Sequence, residues 1–396
     1  MINRKITILG PEGTNLYILL QFMLFSVISW FTLFSSIESI EFETSNILTR
    51  QIVFSLVGLI VFFLTTYLSI DNLYNLVNSL FFFSISVLLG LLFTTPILGV
   101  RRWYDLEPVG LPIFIQPSEF SKIILVLFIA KILSEKSYKL IGILGVLVNL
   151  FLIFIQPDLG TTILLLVVTS LMFFVSDIKL RSAVLGLLSL FILFFVLLEF
   201  NFIGDYQISR ITDFFSGDDF SQNQSRLSIS SGGLFGTYFT ELQITKVFVP
   251  VQTTDFIFSL YARNFGFFGG LLLLSFWIVF FFRVNRIINR TQIEFEKYLL
   301  SGLLILLGVQ IFINLFTILG FIPLTGIPFP LLSLGGSSIF SGSGNYGGDG
   351  SITGAAVASY DTTCLIPEFE NTEPTAVSVG SDGSDTKFQP ANKSRT

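Results

Sequence analysis

Residues 264–282 read NFGFFGGLLLLSFWIVFFF, a run of nineteen residues without one charged side chain. The hydrocarbon core of a bilayer is about 30 Å thick, and a helix of about 20 apolar residues crosses it. Backbone groups in lipid must find their hydrogen-bond partners within the protein, so this run predicts a transmembrane α-helix. Its apolar residues are continuous and do not alternate, which argues against a barrel strand.

The rest of the chain has the same character. Of its 396 residues, 52% are hydrophobic, 12% are charged and 47 are phenylalanine, whereas a soluble domain carries about 25% charged residues. We therefore predict an all-α, polytopic transmembrane helical bundle. The nine predicted spans are 15–36, 52–70, 76–98, 117–134, 139–156, 159–176, 182–201, 256–283 and 298–321.

Lysine and arginine predict the orientation of the bundle, because they are enriched in cytoplasmic connections. The basic residues that fall on one side of the nine spans, if the N-terminus is cytoplasmic, are Arg4, Lys5, Lys136, Lys139, Lys179, Arg181, Arg283, Arg286, Arg290 and Lys297. We therefore expect a cytoplasmic N-terminus and a large extracytoplasmic loop over 202–255. Residues 1–340 form the predicted membrane domain, and the polar residues 341–396 are expected to form a disordered tail.

Composition also excludes several kinds of chemistry. The chain has no histidine and one cysteine, Cys364. Ser-His-Asp and Cys-His catalysis, histidine metal sites and an internal disulfide are therefore excluded. We expect membrane lipids around the helices, no nucleic-acid partner and no protein-ligated metal.

Four polar clusters on the predicted outer face are candidates for function, because a charge at membrane depth needs a partner or a role. In the first, Arg101 and Arg102 beside Trp103 suit an anionic head group, and Glu119 and Lys122 follow on the next helix. The alternative is structural: the aromatics anchor at the interface, Ser118 caps the helix behind Pro117, and Glu119 pairs with Lys122 three residues on.

The second and third clusters each centre on one aspartate. Asp158 lies in the motif QPDLGT at 156–161, and Asp255 stands where the polar loop enters a long apolar helix. Partial desolvation at such a position tends to make a carboxylate a better general base. Either aspartate also fits an N-cap. Arg210 and Lys246 are the cations of the intervening loop that we select.

The fourth cluster combines three prolines with three glycines between Pro323 and Ser338, ending in Ser337 and Ser338. Such a sequence cannot form a continuous helix. Broken backbone at membrane depth is tolerated only inside protein or beside a cavity, so a re-entrant or pocket-lining segment is predicted.

Taken in order, these segments resemble the SEDS family of RodA, FtsW and SpoVE. The matching elements are Arg102-Trp103, QPSE at 116–119 with Lys122, QPDLGT at 156–161, SGGLFG at 231–236, TDFIF at 254–258, TGIP at 325–328 and GGSS at 335–338. The likeness covers roughly residues 15–338. Members of this family have ten spans, against nine predicted here.

The resemblance implies a peptidoglycan glycosyltransferase of the bacterial inner membrane that polymerises lipid II, in cell-wall elongation or division. It implies Asp255 as the catalytic residue, with inversion and an undecaprenyl pyrophosphate leaving group. The cations Arg101, Arg102, Lys122, Arg210 and Lys246 are candidates to hold that group, and a divalent cation such as Mg²⁺ is left open. The implied partner is a class B penicillin-binding protein.

Two alternatives remain open on the sequence. One is a flippase for the lipid-linked precursor, and the other is a catalytically impaired scaffold for the transpeptidase. The second is motivated by Arg263-Asn264, which replaces a Glu-Glu pair of the family. An arginine there either pairs with Asp255 or holds pyrophosphate.

Overall fold

A computed structural model of the chain describes residues 14–36, 44–65, 69–96, 101–105, 114–135, 140–176, 205–217, 219–238 and 255–333. Within these ranges the fold is helical, which confirms the all-α prediction. The helices are α1 Thr14–Ser36, α2 Thr44–Thr65, α3 Ile70–Leu91, α4 Pro117–Ser134, α5 Leu140–Ile155, α6 Leu159–Val175, α7 Asp205–Ser216, α8 Phe220–Ser231, α9 Ile257–Ile288 and α10 Glu294–Ile318. Two short strands, β1 Tyr104–Asp105 and β2 Phe114–Ile115, pair antiparallel ahead of α4.

Eight of the nine predicted spans coincide with helices, namely α1–α6, α9 and α10. The span predicted at 182–201 lies outside the described residues, as does the tail at 341–396. In the described part of the chain, four helices are long and apolar enough to cross a membrane, and α2, α5 and α6 contain shorter apolar stretches. Large apolar side chains such as Phe83 and Phe282 are 67% and 72% exposed, as expected of lipid-facing positions.

The centre of the bundle is α10, which packs against α4, α6 and α9. Gly302 allows a close approach of these helices: a Cβ atom there would lie 2.7 Å from Val126 of α4 and 2.8 Å from the sulfur of Met172 on α6. Small residues let membrane helices approach closely in this way. These contacts set α10 between the two helices that carry the first two polar clusters.

One end of the bundle is fixed around Tyr74 of α3. Its hydroxyl donates to Glu135 at 2.8 Å, its carbonyl accepts from Lys131 at 2.9 Å, and its ring meets that of Phe295 at 5.1 Å. The start of α3, the end of α4 and the start of α10 therefore lie together. The start of α4, the start of α6 and the segment after α10 lie at the opposite end, where the polar clusters meet.

The predicted loop 202–255 is not wholly irregular, because it contains α7 and α8. The SGGLFG motif follows α8 as a turn over residues 231–236, called here the glycine turn. It crosses α9 where that helix is interrupted at Gly266, whose φ is 69° and ψ −170°. Backbone bonds from Phe267 to Gly233 at 2.9 Å and from Thr237 to Arg263 at 3.0 Å satisfy groups that the interruption exposes.

Residues 322–333 after α10 contain no helix and are called here the broken segment. Gly326 and Leu331 have φ values of 69° and 59°. Ile327, Phe329 and Leu332 are nevertheless buried in the bundle core. For residues 323–333 this confirms the prediction of irregular backbone held inside protein, and the rest of the predicted stretch, 334–338, lies outside the described residues.

Candidate active site

The starts of α4 and α6 bring two of the predicted clusters together. Asp158 accepts from the backbone N–H of Thr161 at 3.2 Å, which confirms its alternative role as the N-cap of α6. Its second oxygen accepts from Gln116 at 3.2 Å and from Ser118 at 3.5 Å. Gln116, Ser118 and Asp158 are all buried. The prediction that Ser118 caps α4 is wrong, because Gln116 is the N-cap and Pro117 occupies the first helical position.

One turn into α4, Lys122 donates to Glu119 at 2.5 Å, and the two side chains are 1% and 5% exposed. The predicted i,i+3 pair is therefore present, but it is buried within the bundle and does not lie at the interface. The second oxygen of Glu119 accepts no hydrogen bond from the described residues. Gln116, Ser118, Glu119, Lys122 and Asp158 form what we call the polar cluster.

Arg102 bonds to the backbone beside this polar cluster. Its guanidinium donates to the carbonyls of Gln156 and Pro157 in the turn before α6. These bonds hold the backbone of the QPDLGT turn, and the role of Arg102 in binding an anionic head group stays a prediction. Arg101 beside it is exposed. The indole N–H of Trp103 is buried and has no acceptor among the described residues.

Tyr104 fastens this strand to the bundle. Its hydroxyl donates to the carbonyl of Val87 on α3 at 2.8 Å. Burial raises the pKa of the Tyr104 phenol, so the group stays neutral and remains a donor at ordinary pH. A side chain at Gly90 would collide with this hydroxyl.

The broken segment links the polar cluster to Asp255. At Gly160, in the first turn of α6, an added Cβ would collide with the carbonyl of Thr325. On the other side, a Cβ at Gly326 would lie 3.8 Å from a carboxylate oxygen of Asp255. Arg210 of α7 donates to the carbonyl of Leu324 at 3.4 Å. The second and third predicted clusters thus meet the fourth at residues 324–326, and the first joins them through the bonds of Gln116 and Ser118 to Asp158.

Asp255 lies immediately before α9 and is partly buried. Phe256 is the N-cap of that helix, so the interpretation of Asp255 as the cap is wrong. Arg263 lies two turns further on, where its backbone carbonyl accepts from the N–H of Thr237 at 3.0 Å. Asn264 accepts from the backbone of Tyr238 at 3.2 Å, so both positions belong to the crossing with the glycine turn.

Three predicted residues, Lys246, Ser337 and Ser338, lie outside the described residues. Two residues that no motif indicated face the site from α10, namely Gln310 and Asn314. Their signal in the sequence was an i,i+4 pair of amides within an apolar span, a spacing that puts both on one helix face. In the part of the chain that the structure describes, no three Asp, Glu or Cys side chains cluster as metal ligands. We therefore assign no residues to Mg²⁺.

Comparison with known proteins places this arrangement in a family. The family model for cell cycle proteins that groups FtsW, RodA and SpoVE matches residues 14–347. The chain belongs to that family. Among relatives of this FtsW/RodA/SpoVE protein, stage V sporulation protein E of Bacillus subtilis is 33% identical over 262 residues, which cover 61% of this chain and 68% of the relative.

Two further relatives carry an activity in their names. The peptidoglycan glycosyltransferase MrdB of Escherichia coli K12 is 33% identical over 61% of this chain and 67% of its own length. A probable peptidoglycan glycosyltransferase FtsW of Synechocystis is 32% identical over 78% of this chain and 81% of its own.

Solved structures of the family share the fold. The rod shape determining protein RodA of Thermus thermophilus superposes with a TM-score of 0.59 at 27% identity, covering 82% of this chain and 91% of that one. A chain of a peptidoglycan synthase complex superposes with a TM-score of 0.66 at 25% identity, covering 86% and 95%. The FtsW/RodA/SpoVE protein described here is thus a polytopic helical membrane protein.

Proposed function

We propose that this chain is a peptidoglycan glycosyltransferase that polymerises lipid II and uses Asp255 as its general base. The observation that carries the proposal is the contact of the second and third polar clusters with the broken segment at residues 324–326, while the first cluster joins the second through Asp158. A bundle needs no such convergence for stability, since buried charges are costly. The activity named for relatives at 32–33% identity supports the same assignment.

The reaction requires few protein groups. The 4-hydroxyl of the acceptor sugar is a poor nucleophile until a base removes its proton. In the proposed step, the Asp255 carboxylate takes that proton while the hydroxyl oxygen attacks the anomeric carbon of the donor. The bond from that carbon to the undecaprenyl pyrophosphate oxygen breaks, and direct displacement inverts the carbon.

The leaving pyrophosphate gathers negative charge and needs cations or donors placed in advance. Arg101 is exposed at the edge of the polar cluster, Lys122 lies within it, and Arg210 lies at the broken segment. Lys246 and the serines Ser337 and Ser338 complete the set predicted from the sequence. The buried indole N–H of Trp103 is a further donor at this edge. Arg102 orients the turn that carries Asp158.

Membership of the same family also supports an inference about the membrane, the orientation and the partner of the chain. We infer a bacterial inner membrane, with the N-terminus cytoplasmic and the site on the outer face. Basic residues at the opposite end of the bundle, such as Arg283, Arg286 and Arg290 near the end of α9, support that orientation. A class B penicillin-binding protein is the inferred partner, supported by the likeness to a chain of a peptidoglycan synthase complex.

Reconstitution with lipid II tests the function. The purified chain, in liposomes with a class B penicillin-binding protein from the same organism, is expected to convert labelled lipid II into glycan strands that separate by length on a gel. A parallel assay follows access of an impermeant reagent to lipid II in the outer leaflet. Translocation without strands would contradict the proposal in favour of a flippase. Partner binding with neither activity would contradict it in favour of a scaffold.

A further inference from the structure

Two amide side chains of α10 face the broken segment, one turn apart. Gln310 and Asn314 are 0% and 1% exposed. Gln310 donates to the carbonyl of Pro328 at 3.2 Å. Asn314 donates to two carbonyls, that of Ile327 at 2.7 Å and that of Asp255 at 2.8 Å. The two amides therefore share a helix face, but only Asn314 reaches Asp255.

The orientation of the Asn314 amide is determined by its neighbours. Both groups around its nitrogen are carbonyl oxygens, which accept hydrogen bonds and cannot donate, so the NH₂ end must point at them. The bridged carbonyls belong to chain segments more than seventy positions apart in sequence, 255 and 327. A single buried side chain thus fixes the start of α9 against the broken segment.

The two carbonyls that Asn314 bridges belong to the backbone next to the Asp255 carboxylate. Ile327 directly follows Gly326, the residue beside the Asp255 carboxylate. The first carbonyl of the α9 ladder is that of Phe256, which accepts from Ser259 at 2.9 Å, so the carbonyl of Asp255 precedes the helix ladder. Asn314 supplies a bond that the helix does not.

We propose that Asn314 is a positioning residue for Asp255, which holds the carboxylate in register with the broken segment across which the substrates lie. The inference rests on the proposed function, because it assigns a role to Asn314 through the general base. Asn314 itself touches no reacting atom in this proposal. A misplacement of a catalytic group by about 1 Å lowers the rate of a well-oriented reaction by about 100-fold.

Gln310 provides the matched control. It is buried on the same face and bonds to the same segment, and its loss also leaves a buried carbonyl without its donor. Asn314→Ala and Gln310→Ala are therefore expected to lower the melting temperature by similar amounts. Only Asn314→Ala is expected to disturb Asp255.

The experiment measures initial rates of polymerisation against lipid II concentration and pH for both variants. For Asn314→Ala we expect kcat to fall by about 100-fold with KM changed less than about threefold, and the acidic limb of the kcat profile to move. Gln310→Ala is expected to keep kcat within about threefold of wild type and to leave the acidic limb of its pH profile in place. Asn314→Asp keeps the shape but not the NH₂, and is expected to behave as Asn314→Ala. If Asn314→Ala does not fold, Asn314→Ser, which retains one donor, is expected to give an intermediate kcat.

Equal losses in the Gln310 and Asn314 variants with an unmoved acidic limb would overturn the inference and make Asn314 purely structural. So would a wild-type kcat in every Asn314 variant, if Asp255→Ala is inactive. Full activity of Asp255→Ala would instead overturn the proposed function.

Discussion

The Glu119–Lys122 pair affects the stability of the protein at the site, because both charges are buried. Removing one partner of a buried pair leaves an uncompensated charge, which costs about 3–5 kcal/mol. We therefore expect Lys122→Met or Glu119→Gln alone to lower the melting temperature in detergent strongly. The double variant Glu119→Gln with Lys122→Met is expected to recover much of that loss. Losses that simply add in the double variant would contradict a coupled pair.

The structural roles of some of these residues could be predicted from the sequence, and those of others could not. The N-cap role of Asp158 follows from its place between two apolar runs, since a cap is a local property of the chain. The role of Arg102 does not, because its acceptors at 156 and 157 lie more than fifty residues away. The bridge from Asn314 was not predicted for the same reason: nothing local in an apolar helix indicates which carbonyls it will meet.

At the scale of elements, the crossing between the glycine turn and α9 makes a sharp prediction. Gly266 has φ 69° and ψ −170°, a region that only glycine occupies readily, at a cost of about 1–3 kcal/mol for other residues. A Cβ there would also lie 2.5 Å from the carbonyl of Leu234. Gly266→Ala is therefore expected to lower both the melting temperature and activity.

Gly270→Ala is the control for that variant, because its Cβ would sit 3.5 Å from Phe258, an ordinary contact, in regular helix. It is expected to leave melting temperature and activity close to wild type. Equal tolerance of the two substitutions would contradict a rigid crossing at Gly266.

The existence of the helices was predictable from apolar runs, but their ends were not. The third span was predicted to begin at 76, whereas α3 begins at Ile70, because Ser69 caps it and accepts from Asn72 at 3.3 Å. Polar residues at the start of a helix interrupt the hydropathy signal while stabilising the helix itself. The helices α7 and α8 were missed because they are polar, and the packing of α8 against α9 and α10 is a tertiary effect.

For the whole molecule, α10 joins the parts of the site. It packs between α4 and α6, which carry the polar cluster, and its Asn314 amide holds the broken segment against Asp255. The opposite end is closed by Tyr74, Lys131 and Glu135. The fold therefore gathers the site at one end of the bundle, as a reaction on a lipid-linked substrate at one membrane face requires.

The central claim is that Asp255 performs the proton transfer at this site, and one measurement tests it most directly. Glycan strand formation from lipid II is compared for wild type, Asp255→Ala and Asp213→Ala, all with the partner transpeptidase present. Asp213 is an exposed carboxylate of α7 and serves as the matched control. The account predicts strands from wild type and Asp213→Ala, and none from Asp255→Ala at equal melting temperature. Strands from Asp255→Ala at the wild-type rate would contradict it.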